Sequence, residues 1–292
     1  MAIDLEAEYN NRARVPGHPA IIASWAREAA AFRAEAQAGG AARLGVAYGP
    51  SPRQTLDLFG TSREGAPLAV FFHGGYWQAL DPSFFSHMAK GANAHGLAMA
   101  VAGYDLCPEV RVGAIIDEAR RACAFLWRNY RRRLVVAGHS AGGHLAACLV
   151  ATDWSMVGPD LPADLVPAGL AISGLFDLTP LIATSINDRL HLDEDEACAA
   201  SPLFWEVAPG RALEAWVGGA ESGEYLRQSR AIVEAWGRRG VATRFAEVNG
   251  ADHFTMIAGL ADRASAMTAA LIALAGRAPP PPGAQSRPGA PH

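Results

Sequence analysis

Leu134-Val135-Val136-Ala137-Gly138-His139-Ser140-Ala141-Gly142-Gly143-His144 carries the strongest fold signal in the chain. Its short, continuous apolar run reads as a strand buried on both faces, and the apolar residues Leu145 to Val150 that follow read as a helix. Between them stands G-x-S-x-G, with Gly138 and Gly142 on either side of Ser140. Flanking glycines permit a strained strand-to-helix turn that lifts a serine hydroxyl above the sheet edge. The pattern alone is weak, because a chain with 30 glycines and 14 serines yields it somewhere by chance with a probability of roughly 0.15. The strand before it and the helix after it give it weight. Ser140 is therefore a candidate nucleophile, and the Ala141 amide, at the start of the helix, a candidate donor to an oxyanion.

The same texture extends outward. Leu68 to Phe72, Ala98 to Ala102, Leu170 to Ile172 and Ala215 to Val217 are further continuous apolar runs. Such runs belong to a parallel sheet covered by helices on both faces. Helical spacing links Ile115, Ile116, Ala119, Cys123, Leu126 and Trp127, and again Tyr225, Leu226, Ile232, Val233 and Trp236. Upstream, Pro19 to Ala38 carries Ile21, Ile22, Trp25, Ala29 and Phe32 on one helix face. Arg43 to Tyr48 and Gln54 to Phe59 alternate around Gly49-Pro50-Ser51-Pro52, as an antiparallel hairpin does. A final helix is predicted over Thr255 to Ala275. The expectation is a single α/β domain over 1–277, with a mostly parallel central sheet, an N-terminal antiparallel hairpin and an N-terminal helix. The Pro-rich segment 278–292 is expected to be disordered, since it cannot pack.

Composition narrows the function. The 292 residues are 50% hydrophobic and 18% charged, with net charge −4 and pI near 6.1, as in a soluble globular protein. This acidic balance argues against a nucleic-acid partner. The arginines are scattered except for Arg131 to Arg133, expected at a solvated helix end. Cys107, Cys123, Cys148 and Cys198 form no C-x-x-C pair and are expected as reduced, half-buried residues of a cytoplasmic protein. The start Met1-Ala2-Ile3-Asp4-Leu5-Glu6 lacks the basic and then apolar order of a signal peptide, and no apolar run approaches the roughly 18 residues of a membrane span. Seven tryptophans leave oligomeric state open between a homodimer interface and an ordinary core.

A second element, Phe71-Phe72-His73-Gly74-Gly75-Tyr76-Trp77, follows a predicted strand well before Ser140. Without side chains, Gly74 and Gly75 can bring their amides close to a carbonyl oxygen. Donors of this kind contribute about 3 to 4 kcal/mol each to a transition state. His73 is expected to hold the loop by bonding backbone. In such a sheet the acid and then the histidine follow the serine in chain order. Three histidines come after the helix that follows Ser140: His191, His253 and His292. His253, after the strand-like Val241 to Val248, is the expected general base. Glu221, in the loop leaving Ala215 to Val217, is the first choice of acid. Asp252 is a poor partner because adjacent side chains diverge, and Asp177 is expected to anchor a loop. No H-E-x-x-H or comparable cluster suggests a metal, and the chemistry needs no cofactor.

With these residues in place, the chain resembles the kynurenine formamidase (arylformamidase) branch of the α/β-hydrolase fold, related to hormone-sensitive-lipase-type esterases. The resemblance covers most of residues 8 to 270. It rests on Tyr9-Asn10-Asn11-Arg12, Leu56-Asp57-Leu58-Phe59, His73-Gly74-Gly75-Tyr76-Trp77, Tyr104-Asp105-Leu106-Cys107-Pro108 and Gly138-His139-Ser140-Ala141-Gly142-Gly143-His144. Ser173 to Leu178, Ser201-Pro202-Leu203, Arg227-Gln228-Ser229 and Asp252-His253-Phe254 extend it. It implies Ser140 as nucleophile, His253 as base, and Glu221 where the family often has aspartate. The implied reaction on a small-molecule substrate is cleavage of an aryl formamide such as N-formyl-L-kynurenine. The alternative is a carboxylesterase or amidase with the same mechanism. Tyr76, Trp77 and His139 are expected to face the substrate, although Tyr76 and Trp77 could equally pack within their loop. No contact for an amino-acid carboxylate can be picked out from the sequence.

Overall fold

The computed structural model describes residues 3–60 and 68–278. The expected disordered tail lies, from residue 279 onward, outside the described residues. The strands are β1 (Ala42–Ala47), β2 (Thr55–Phe59), β3 (Leu68–Phe72), β4 (Ala98–Ala102), β5 (Leu134–His139), β6 (Ala168–Ile172), β7 (Ala212–Gly218) and β8 (Ala242–Val248). They form one sheet of order β1-β2-β4-β3-β5-β6-β7-β8. β2 runs antiparallel to both β1 and β4, and the remaining neighbours are parallel. This is the mostly parallel sheet with an N-terminal hairpin read from the sequence.

The helices are α1 (Leu5–Tyr9), α2 (Asn11–Arg14), α3 (His18–Ala38), α4 (Ala89–Ala94), α5 (Val112–Tyr130), α6 (Ala141–Ala151), α7 (Trp154–Val157), α8 (Asn187–Leu190), α9 (Glu194–Ala199), α10 (Gly223–Gly237) and α11 (Ala266–Ala275). Successive strand residues feed opposite faces, which explains the continuous apolar runs. Leu68, Val70 and Phe72 enter a core shared with Ile115 of α5, Leu145 of α6 and Ile232 of α10. Ala69 and Phe71 enter a second core with Trp25 of α3, Ala92 of α4 and Leu271 of α11. Complete burial of Phe71 and Phe72 is worth about 2 to 3 kcal/mol each relative to exposure.

Strand register places the site. Phe72 lies opposite both Ala102 and Gly138, His139 opposite Ile172, and Gly218 opposite Val248. The loops leaving β3, β5, β6, β7 and β8 therefore emerge along one edge, the carboxyl ends of the parallel strands.

Two expectations change. The predicted final helix is two pieces: a 3₁₀ turn over Met256–Leu260, then α11. Asp262 Oδ1 accepts the Ala264 amide and Ser265 caps α11 through the Thr268 amide, and these local bonds break the helix between them. Cys198 is exposed, whereas Cys107, Cys123 and Cys148 are buried. Trp25, Trp77, Trp127, Trp154, Trp216 and Trp236 are all buried, and the half-buried Trp205 packs under the Arg120 guanidinium, so tryptophan offers no exposed patch. Arg131 ends α5 in a left-handed, exposed conformation, as the basic run suggested. No helix among the described residues is long and apolar enough to cross a membrane.

Candidate active site

Ser140 stands between β5 and α6 with φ 56° and ψ −118°. A non-glycine residue in this region costs about 1 to 3 kcal/mol and persists only where its surroundings enforce it. Here its amide donates to the Ile172 carbonyl at 2.8 Å and its own carbonyl accepts from His144 at 3.1 Å. The flanking glycines are steric necessities. A Cβ on Gly138 would lie 2.0 Å from the Gly142 oxygen, and one on Gly142 would lie 1.9 Å from the Phe72 oxygen. Backbone packs on backbone around the serine, which explains G-x-S-x-G.

The loop after β3 approaches from the side. A Cβ on Gly74 would touch the Ser140 Cβ at 3.0 Å, so only glycine lets this backbone come so near. Gly75, Tyr76 and Trp77 follow with φ of 116°, 51° and 55°. The His73 Nδ1–H donates to the Gly74 carbonyl at 2.7 Å, while Tyr104 donates to the His73 carbonyl at 2.8 Å and stacks on its ring. Burial lowers the His73 pKa to about 4, so the ring is a neutral brace. The Gly74, Gly75 and Ala141 amides donate to no acceptor among the described residues.

His253 lies in the loop after β8, and its Nδ1 meets Glu221 Oε2 at 2.7 Å. Glu221 folds back on its own turn, where Oε1 accepts from the Gly218 amide at 2.7 Å and from Ser173 Oγ at 2.5 Å. That retraction absorbs the extra methylene of glutamate. Asp252 points elsewhere: its Oδ1 accepts from the Phe254 and Thr255 amides. Asp177 caps Thr179, and His191 is an exposed helix end outside this group. His139 donates from Nε2 to the His253 carbonyl at 2.8 Å, with the two rings 4.7 Å apart. Burial first, and the neighbouring His253 second, hold the His139 pKa well below its ordinary value.

Ser140 and His253 line one cavity, together with Gly74, Gly75, Tyr76 and His139. Trp77 does not line it. That ring is fully buried, edge-on to His144, so of the residues expected to face substrate Trp77 is a packing residue. Asn11, Arg12, Ile22 and Trp25 from the N-terminal segment, with Leu80, Phe85 and Phe254, complete the wall. These went unassigned in the sequence, although Asn11 and Arg12 belong to a motif singled out there. Trp25 was legible only as the apolar face of α3. Ser173 was likewise missed, since nothing marks a serine after β6 as a carboxylate's partner.

A family model described as alpha/beta hydrolase fold matches residues 69–257. Kynurenine formamidase of Danio rerio is 29% identical over 243 residues, 80% of this chain and 82% of that protein. Kynurenine formamidase of Drosophila melanogaster is 30% identical over 220 residues, 70% of this chain and 72% of that protein. A crystal structure from Silicibacter sp. TM1040, whose thioesterase designation is provisional, is 36% identical with TM-score 0.82 and covers 93% of this chain and 100% of its own. The chain belongs to the α/β-hydrolase fold family, on its kynurenine formamidase-like branch, and is a hydrolase.

Proposed function

We propose that the protein is a serine hydrolase that cleaves an aryl formamide, such as N-formyl-L-kynurenine, to the free arylamine and formate. The observation that carries this reading is the hydrogen-bonded His253–Glu221 pair facing, with Ser140, a cavity walled by Trp25, Tyr76, Phe85 and Phe254. Glu221 accepts only, so it holds a proton on His253 Nδ1 and leaves Nε2 as the base. Nε2 takes the proton of Ser140 Oγ as the oxygen bonds to the formyl carbon. The Gly74, Gly75 and Ala141 amides receive the oxyanion. Protonated His253 then gives its proton to the departing nitrogen, because an amide anion leaves very poorly. Water, deprotonated by the same histidine, attacks the formyl-serine ester, and formate leaves Ser140 restored.

The relation to kynurenine formamidases over most of both chains supports formamide chemistry. The Silicibacter neighbour, at higher identity and provisionally a thioesterase, favours ester over formamide cleavage by the same machinery; the second reading is therefore a carboxylesterase or amidase on short-chain or small aromatic acyl groups. The deciding measurement is kcat/KM on N-formyl-L-kynurenine beside p-nitrophenyl acetate and butyrate, with Ser140→Ala as blank. The formamide is expected to be the preferred substrate and Ser140→Ala inactive on all three. Rapid ester cleavage without formamide cleavage assigns the second reading, and activity surviving in Ser140→Ala overturns both.

A further inference from the structure

The cavity holds a polar end that the mechanism above does not use. Tyr76 Oη lies 2.5 Å from the Tyr9 carbonyl, an acceptor, so its one proton goes there. Tyr225 Oη, 2.6 Å from Tyr76 Oη, must then spend its own proton on Tyr76. With both protons committed, the Asn11 atom 2.9 Å from Tyr225 Oη has to be the amide nitrogen. Oδ1 is therefore the remaining side-chain atom. It is buried with no partner, in a residue that is 3% exposed and lines the cavity. The next residue, Arg12, is exposed and makes no ion pair or hydrogen bond among the described residues. It is also the one lining residue of fixed charge.

A bare buried acceptor beside an unpaired guanidinium matches the two charged groups of an α-amino acid. We infer that Asn11 and Arg12 form a subsite for the α-amino-acid group of an aromatic ligand, Asn11 Oδ1 accepting from the ammonium and Arg12 holding the carboxylate. The aryl part rests on the formamidase reading. The head group rests on the hydrogen-bond directions alone. Arg12 and Asn11 act here as specificity-determining residues, remote from bond cleavage.

Binding to the full-length wild-type protein tests this by calorimetry with three probes: L-kynurenine, 4-(2-aminophenyl)-4-oxobutanoate, which lacks the amino group, and 2′-aminoacetophenone, which lacks the whole head group. Affinity is expected to fall at each step. Arg12→Gln is expected to weaken the two carboxylates about tenfold, the low end for a charge-assisted pair at an exposed guanidinium, and to leave the acetophenone within about twofold. Arg14→Gln, which alters an exposed cation of the same short helix outside the cavity, is expected to preserve the ranking. Equal affinities for the three probes, no binding of L-kynurenine, or equal effects of Arg12→Gln on all three would overturn the inference. Turnover of N-formyl-L-kynurenine on the same samples separates the two readings. The expected binding pattern without formamide cleavage sinks the formamidase reading and keeps the subsite, and cleavage with flat binding does the reverse.

Discussion

Glu221 spends both of its oxygens: Oε1 on Ser173 and Gly218, Oε2 on His253. An acceptor at every contact fixes which nitrogen of His253 carries the proton. Glutamine in its place brings an NH₂ group that must face either two donors or the imidazole N–H, and either choice breaks the arrangement. Glu221→Gln is expected to lower kcat by about 10³ to 10⁴ with unchanged circular dichroism. Asp252→Asn is expected to stay within about threefold, because Asp252 caps its own turn and its other contacts are local. Equal losses in the two variants would reassign the acid. At this scale the reading of sequence was strongest where chain order constrained it. Ser173 and the Asn11 amide escaped it because their partners lie 48 and 214 residues away.

The elements around the serine depend on absent side chains. Gly142→Ala would drive a methyl group to within 1.9 Å of the Phe72 carbonyl oxygen, in the seam where α6 meets β3. Neither backbone can yield without breaking the register that aligns β3 with β5, so this variant is expected to lose more than about 4 kcal/mol of stability. Gly113 is the contrast: a Cβ there meets nothing within 4 Å on the exposed side of α5. Gly113→Ala is expected to gain about 0.5 to 1 kcal/mol through helix propensity and a less flexible unfolded chain. Urea denaturation of the two variants checks the pair. Similar stabilities would mean that the elbow backbone is not the rigid seam described. Elements of this kind were legible because burial on both faces leaves an uninterrupted apolar run. The last helix was not, because the capping bonds of Asp262 and Ser265 compete with a pattern that remains apolar throughout.

Among the described residues, His73, His87, His139 and His144 are all buried, and burial holds each of them toward its neutral form. His73 and His144 are lowered to about 4 by burial, and His139 is well below its ordinary value for the same reason. In the unfolded chain each takes up a proton near its ordinary value of 6.5. Below that pH the unfolded state binds more protons than the folded one, so stability is fully present above it and is lost as pH falls. Each histidine contributes a slope of up to about 1.4 kcal/mol per pH unit in that window. Asp57 and Glu118, whose carboxyls burial pushes up, oppose the trend nearer their own titration at lower pH. The urea midpoint is therefore expected to fall between pH 7 and 5.5, with net proton uptake on unfolding. A flat profile over that range would mean that these rings accept protons while the fold stays intact.

Legible in the sequence alone were the mostly parallel sheet with its N-terminal hairpin, the strand-turn-helix around Ser140, and the placing of Ser140, Glu221 and His253 on loops in that order along the chain. Each of these is written in local patterns: apolar runs, helical spacing, and glycines where no Cβ fits. The surroundings of Ser140 came from long-range packing. That packing turned Trp77 away into the core, brought Trp25 of α3 to the cavity wall and set Asn11 against Tyr225, because side-chain neighbours across a sheet edge depend on segments far apart in the chain.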